Sequence, residues 1–127
     1  MKLNPDCIRE ILLYVEDCTT LKNHVTFTDD NVADIFPSYS SDEIFYHIKQ
    51  CDLSGFFERT SHNLDGDITV SYLSPAGHEF IAYLRNDAFF AKVKDIGKDI
   101  GITTLKGLAQ IASASLSTLI KQHFNLL

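Results

Sequence analysis

Five histidines, His24, His47, His62, His78 and His123, are the residues most able to bind metal or move protons. Imidazole is the commonest metal ligand and titrates near neutral pH. No two of them stand four apart, and none lies in an H-x-E or H-E-x-x-H setting, so no ligand set is expected. His78, beside Glu79, reads as a helix-boundary residue. Asp65-Gly66-Asp67 has the look of half a calcium loop but lacks the glutamate that would close it. Ser74-Pro75-Ala76-Gly77 is a helix start rather than the G-x-S-x-G turn of a nucleophilic serine. There is no glycine loop to cradle phosphate, and Asp29-Asp30 falls in a loop or cap. The expectation is therefore no enzyme, no metal and no cofactor.

What remains is recognition. On the helix expected over Ser41–Ser54, the outward candidates are Ser41, Asp42, Tyr46, His47, Lys49 and Gln50. Gln50 matches adenine, and Lys49 matches guanine or phosphate. Tyr46, His47, Lys49 and Gln50 are the candidate base contacts, with Arg59 for phosphate. Asp42 and Glu43 oppose that reading, because they stand at the helix end nearest the groove. The charge distribution opposes it too. Residues 1–73 hold five Lys or Arg against thirteen Asp or Glu, although the whole chain is only −6. Duplex affinity comes largely from cations neutralising phosphates. The hairpin tip His62–Asp67 offers two aspartates where a DNA reader usually offers Arg or Lys. The alternative set is Asp42, Glu43, Asp65 and Asp67, an acidic face for a basic protein surface.

Those side chains need a scaffold, and the local signals supply one. Asn4-Pro5 caps and starts a helix carrying Ile8, Ile11, Leu12 and Val15 on one face. His24–Thr28 alternates like a short strand, and Thr28 or Asp29 caps a short helix that Pro37 stops. Ser40 and Glu43 form a capping box ahead of Ile44, Ile48 and Cys51, and Gly55 closes that helix. Phe56–Thr60 and Ile68–Leu73 are strands around an Asp-Gly turn. Ser74-Pro75 opens a helix with Phe80, Ile81 and Leu84 buried. The expected core is Ile8, Ile11, Leu12, Val15, Ile44, Ile48, Leu53, Phe56, Val70, Leu73, Phe80, Ile81 and Leu84.

Beyond Arg85 the chain stays helical. Phe89, Phe90, Val93 and Ile96 are helically spaced, with Gly97 and Gly101 as breaks. A last helix from about Thr103 or Thr104 to Phe124 carries Leu105, Leu108, Ala112, Leu116 and Leu119 on one stripe. Its small residues let another backbone approach, so this stripe is the candidate for self-association as a homodimer. A membrane-surface role is weaker, since the flanks are only mildly basic. The longest uncharged run, Gly107–Ile120, is too short to span a bilayer. Cys7, Cys18 and Cys51 make an odd count with no C-x-x-C spacing and no export signal, as expected of reduced thiols in the cytoplasm.

Four stretches carry a resemblance: MKLNPDCIREILLYVE, YSSDEIFYHIKQCDLSGFF, YLSPAGHEFIAYLRNDAFFAKVK and GLAQIASASLSTLI. The combination of Tyr46-His47-Ile48-Lys49, Leu73-Ser74-Pro75-x-Gly77-His78-Glu79-Phe80 and Arg85-Asn86-Asp87 resembles a family of small phage and prophage proteins known only as a domain of unknown function. The resemblance spans nearly the whole chain. It implies a winged-helix-like N-terminal part and a mobile-element origin, and it carries over no catalytic residue.

The fold class expected is α+β: a winged helix-turn-helix over residues 1–86 and a C-terminal helical extension over 87–127. The function expected is a non-enzymatic phage-type regulatory protein. Its partner is DNA on the first reading, and a host or defence protein on the second.

Overall fold

Asn4 and Pro5 start the first helix through their own chemistry. Asn4 is extended and its side chain accepts from the Asp6 amide at 3.0 Å, which leads into α1, Pro5–Cys18. In the computed structural model, which describes residues 1–102 and 104–125, α1 buries Cys7, Ile8, Ile11, Leu12 and Val15 completely. A turn held by Thr20, whose hydroxyl accepts from the Asn23 amide at 3.0 Å, leads into β1, Val25–Phe27. Thr28 then caps α2, Asp29–Ile35, in a reciprocal box with Asn31.

The helix α3 spans Ser41–Leu53. Its capping box is formed as the residues dictate: the Glu43 amide donates to Ser40 Oγ at 3.2 Å, and the Ser40 amide donates to Glu43 Oε1 at 3.3 Å. Such caps are worth about 1 kcal/mol each. At the other end Gly55 turns left-handed at φ 77°. The Gly55 amide then donates to Asp52 O and the Phe56 amide to Cys51 O, both at 3.0 Å. Those two bonds satisfy carbonyls that would otherwise end the helix unpaired.

The sheet is antiparallel with strand order β1-β3-β2, where β2 is Thr60–His62 and β3 is Ile68–Val70. Regular strand is shorter than the sequence suggests. The two arms nevertheless keep one register as far as a bridge between Phe57 and Leu73. Phe27, Ile68 and Val70 point to the core. At the tip Gly66 sits at φ 94°, and its amide donates to Asn63 O at 3.1 Å.

Helix α4, Pro75–Leu84, begins where Ser74 reaches across the base of the hairpin. The Ser74 amide donates to Phe56 O at 2.9 Å and its hydroxyl donates to Gly55 O at 2.5 Å. Gly77 lies so close to Phe56 that a Cβ there would overlap the Phe56 carbonyl oxygen. This approach lets Phe56 and Phe80 stack at 4.8 Å between ring centroids.

The chain divides into two compact units, Met1–Ile81 and Ala82–Leu127, with the boundary inside α4. In the second unit Asn86 caps α5, Asp87–Ile100, and Thr104 caps α6, Leu105–Asn125. Thr103, one of the two starts expected for α6, lies outside the described residues. Gly97 does not break α5 as expected. The helix runs through it, and the missing side chain leaves room for Leu108 Cδ2, which lies 3.2 Å from where a Cβ would stand. Phe90 and Val93 of α5 are buried, as are Leu105, Leu108, Ile111 and Ala112 of α6, and the two helices pack on each other.

Leu53 is a correction to the expected core. It is 69% exposed, whereas the other twelve core residues are buried. At 3.6 residues per turn, a residue nine positions after Ile44 stands on the opposite side of the helix.

Candidate recognition surface

The outward side of α3 follows from the same geometry. Asp42, Tyr46, Lys49 and Leu53 succeed one another at spacings of four, three and four, which places them on one face. Asp42, Lys49 and Leu53 are exposed; Tyr46 and Gln50 are half-buried.

His47 is not on that face. It is fully buried on the stripe of Ile44, Ile48 and Cys51. Its Nε2 accepts from the Asn4 amide at 2.8 Å, so Nδ1 carries the proton and donates to the Glu43 carbonyl at 2.6 Å. With both ring nitrogens engaged inside the core, His47 cannot read a base, and its expected place among the outward residues is corrected. The signal was available: His47 stands three after Ile44 and four before Cys51.

Arg59 is exposed at the base of the hairpin, with its Nε 3.9 Å from Glu58 Oε2. The four expected acids have different roles. Glu43 is committed to the capping box, while Asp42, Asp65 and Asp67 remain outward. Asp65 Oδ1 accepts from the Asp67 amide at 3.1 Å. Desolvation raises the Asp67 carboxyl above its ordinary value, and the Asp65, Asp29 and Asp30 carboxylates add to the shift. The hairpin tip and the start of α2 are thus electrostatic neighbours. The Ser41 hydroxyl donates to Asp29 Oδ1 at 2.7 Å, which brings the start of α3 to the same place. Leu64, at the tip, is fully exposed.

Residues 2–103 match the family model described as a hypothetical protein, DUF2513. The chain belongs to that family. No curated protein and no solved structure matches it. The DUF2513 match takes in the first unit from its second residue, and α5, and stops before α6.

The self-association stripe divides along α6. Leu105, Leu108 and Ala112 are buried within the second unit and are spent on packing with α5. Leu116 and Leu119 instead line an apolar groove of about 510 Å³ with Ala82, Tyr83, Phe89 and Lys92. Ile120 and Phe124 continue the exposed apolar surface.

Among the described residues, no group of three or more His, Cys, Asp or Glu is placed to hold a metal ion, and no helix is long and apolar enough to cross a membrane. Burial, with Glu10 and Glu43 nearby, pushes the Cys7 thiol up to about 12, and burial likewise raises Cys51. Both are core groups rather than nucleophiles. Sequence reasoning missed the outer face of the sheet, where the strand register aligns Thr26, Thr69 and Ser61. Only pairing shows that row, because Thr26 is 43 residues from Thr69 in the chain.

Proposed function

We propose that this chain is a non-enzymatic winged-helix adaptor that grips a basic protein surface. The element order α1-β1-α2-α3-β2-β3, with β3 between β1 and β2, supports the winged-helix reading. One observation carries the choice of partner: the outward face of α3 pairs Tyr46 with an exposed Leu53 and offers Lys49 as its one cation. Tyrosine is a frequent interface anchor. The acids at the hairpin tip repel phosphate and favour cationic side chains. The phage and prophage resemblance supports a host or defence protein as that partner.

The test is affinity capture from nuclease-treated host lysate with the wild-type chain, Leu53→Glu, and the double variant Asp65→Lys/Asp67→Lys. A partner retained by the wild type and lost by both folded variants is the expected result. An unchanged partner set removes the proposal.

DNA binding is the second reading, favoured by the outward placement of Lys49 and Gln50 on the third helix. It requires duplex binding that weakens steeply with salt and drops with Lys49→Ala. A chain that ignores duplex at low salt excludes it. The surface left for self-association is the distal part of α6 from Leu116 onward.

A further inference from the structure

We propose that the outer face of the three-stranded sheet is a binding site for a phosphate-type oxyanion. Antiparallel pairing sets two rows of side chains across that face. The first is Thr26, Thr69 and Ser61. The second, two residues further along and just past the ends of the strands in the same register, is His24, Ser71 and Arg59. His24, Arg59, Ser61, Thr69 and Ser71 together line a depression of about 210 Å³. That is well above the roughly 10–15 Å³ that one water needs by the same measure.

The chemistry of the lining is donor-rich. The Arg59 side chain is 73% exposed, and among the described residues its one ion pair is the long one from Nε to Glu58. The Nη groups are left to form the planar fork that matches phosphate oxygens. Among the described residues the side chains of His24 and Ser61 make no hydrogen bond to the protein, so each has an N–H or O–H to give. Thr26 and Thr69 stand 2.9 Å apart at Oγ1. One proton serves that pair, and the second is available to a ligand.

One carboxylate, Glu58, stands beside the depression, and it is already engaged. Its Oε2 accepts from the Ser71 hydroxyl at 2.8 Å, while Ser71 Oγ accepts from the Arg59 amide at 3.0 Å. This chain of bonds fixes Ser71, which is almost fully buried, as the floor of the depression. Donors converging from three strands match an anion with three or four oxygens better than a carboxylate with two. The acids of the turn are set apart from this face: Asp65 and Asp67 lie at the tip, while Arg59 and His24 lie toward the opposite end of the ladder.

The experiment is a titration of the isotope-labelled full chain followed by amide NMR shifts, using inorganic phosphate, a nucleoside monophosphate and a short DNA duplex in parallel. Sodium chloride at matched ionic strength is the control. Expected are saturable shifts at Arg59, Ser61, Thr69 and Ser71 with inorganic phosphate and with the monophosphate, absent with chloride. Arg59→Ala should weaken the binding at least about tenfold, the scale of a lost charge-assisted bond, with partial rescue by Arg59→Lys. Ser61→Ala should also weaken it, which decides the matter should Arg59→Ala fail to fold. Shifts that chloride reproduces, or that fall elsewhere, overturn the proposal. Shifts with duplex alone also overturn it and would assign Arg59 to nucleic acid. None of Leu53, Asp65 and Asp67, which test the protein-partner reading, lines this depression, so either idea can fail without the other.

Discussion

The buried ring of His47 joins the start of α1 to the first turn of α3: it accepts from the Asn4 amide at 2.8 Å and donates to the Glu43 carbonyl at 2.6 Å. The ring itself is fully buried, and the cost of this polar link appears when one side is removed. His47→Ala leaves the Asn4 amide without its acceptor and opens space beside Ile44 and Ile48. The expected loss is roughly 1–3 kcal/mol in urea unfolding. A change below about 0.5 kcal/mol, the range of surface substitutions, would contradict the role given to this ring.

Gly77 allows α4 to lie against the Phe56 backbone, and a carbonyl cannot rotate away as a flexible side chain can. Gly77→Ala gains helix propensity but forces the two elements apart. We expect a net destabilisation of about 1–3 kcal/mol, typical of overpacking, together with weaker Phe56–Phe80 stacking. Calorimetry showing a higher melting temperature for the alanine variant would refute the close approach.

The thiols should react unequally. Cys18 is exposed, whereas Cys7 and Cys51 are buried. A disulfide reagent at neutral pH should modify Cys18 quickly in the native chain and reach the other two only on unfolding. Fast modification of Cys7 or Cys51 in the folded chain would contradict their burial.

Alkaline stability follows from the same two residues. Burial raises Cys7 from an ordinary 9.0 to about 12. Below pH 9 both folded and unfolded chains hold the proton, and this contribution to stability is fully present. Between pH 9 and about 12 only the folded chain still holds it, so stability should fall by up to about 1.4 kcal/mol per pH unit for such a group. Cys7→Ala should flatten that decline in chemical denaturation measured across the range. An unaltered slope would count against the shift.

Distal α6 offers a separate test. Leu119 is 41% exposed and Phe124 65%. If α6 pairs with its twin, Leu119→Glu should convert a dimer to a monomer in light scattering while leaving helicity intact. Leu108→Glu should instead unfold the second unit, because Leu108 is buried there. Equal masses for the wild type and Leu119→Glu would remove pairing through this segment.

Local chemistry made most of the first unit legible. The Asn4 cap, the Ser40–Glu43 box and the left-handed Gly55 each act within five residues, so a sequence states them directly. The Asp-Gly turn did the same for the hairpin. The errors on α3 came from reading polarity before periodicity. His47 was placed outward because imidazole is polar, and Leu53 inward because leucine is apolar, although their helical positions place each on the other side. The sheet's outer row stayed hidden for a different reason. Thr26 and Thr69 are 43 residues apart, and nothing local encodes which strand lies beside which. The division of α6 was equally inaccessible, since a uniform apolar stripe does not disclose where its partner helix ends.

The central position of β3 also governs how this chain can fold as it leaves the ribosome. Neither β1 nor β2 hydrogen-bonds to the other, so both wait on residues 68–70 for a partner. Until that segment emerges, Val25–Phe27 has no strand to pair with; its pairing closes a long loop, whereas that of Thr60–His62 closes a short one.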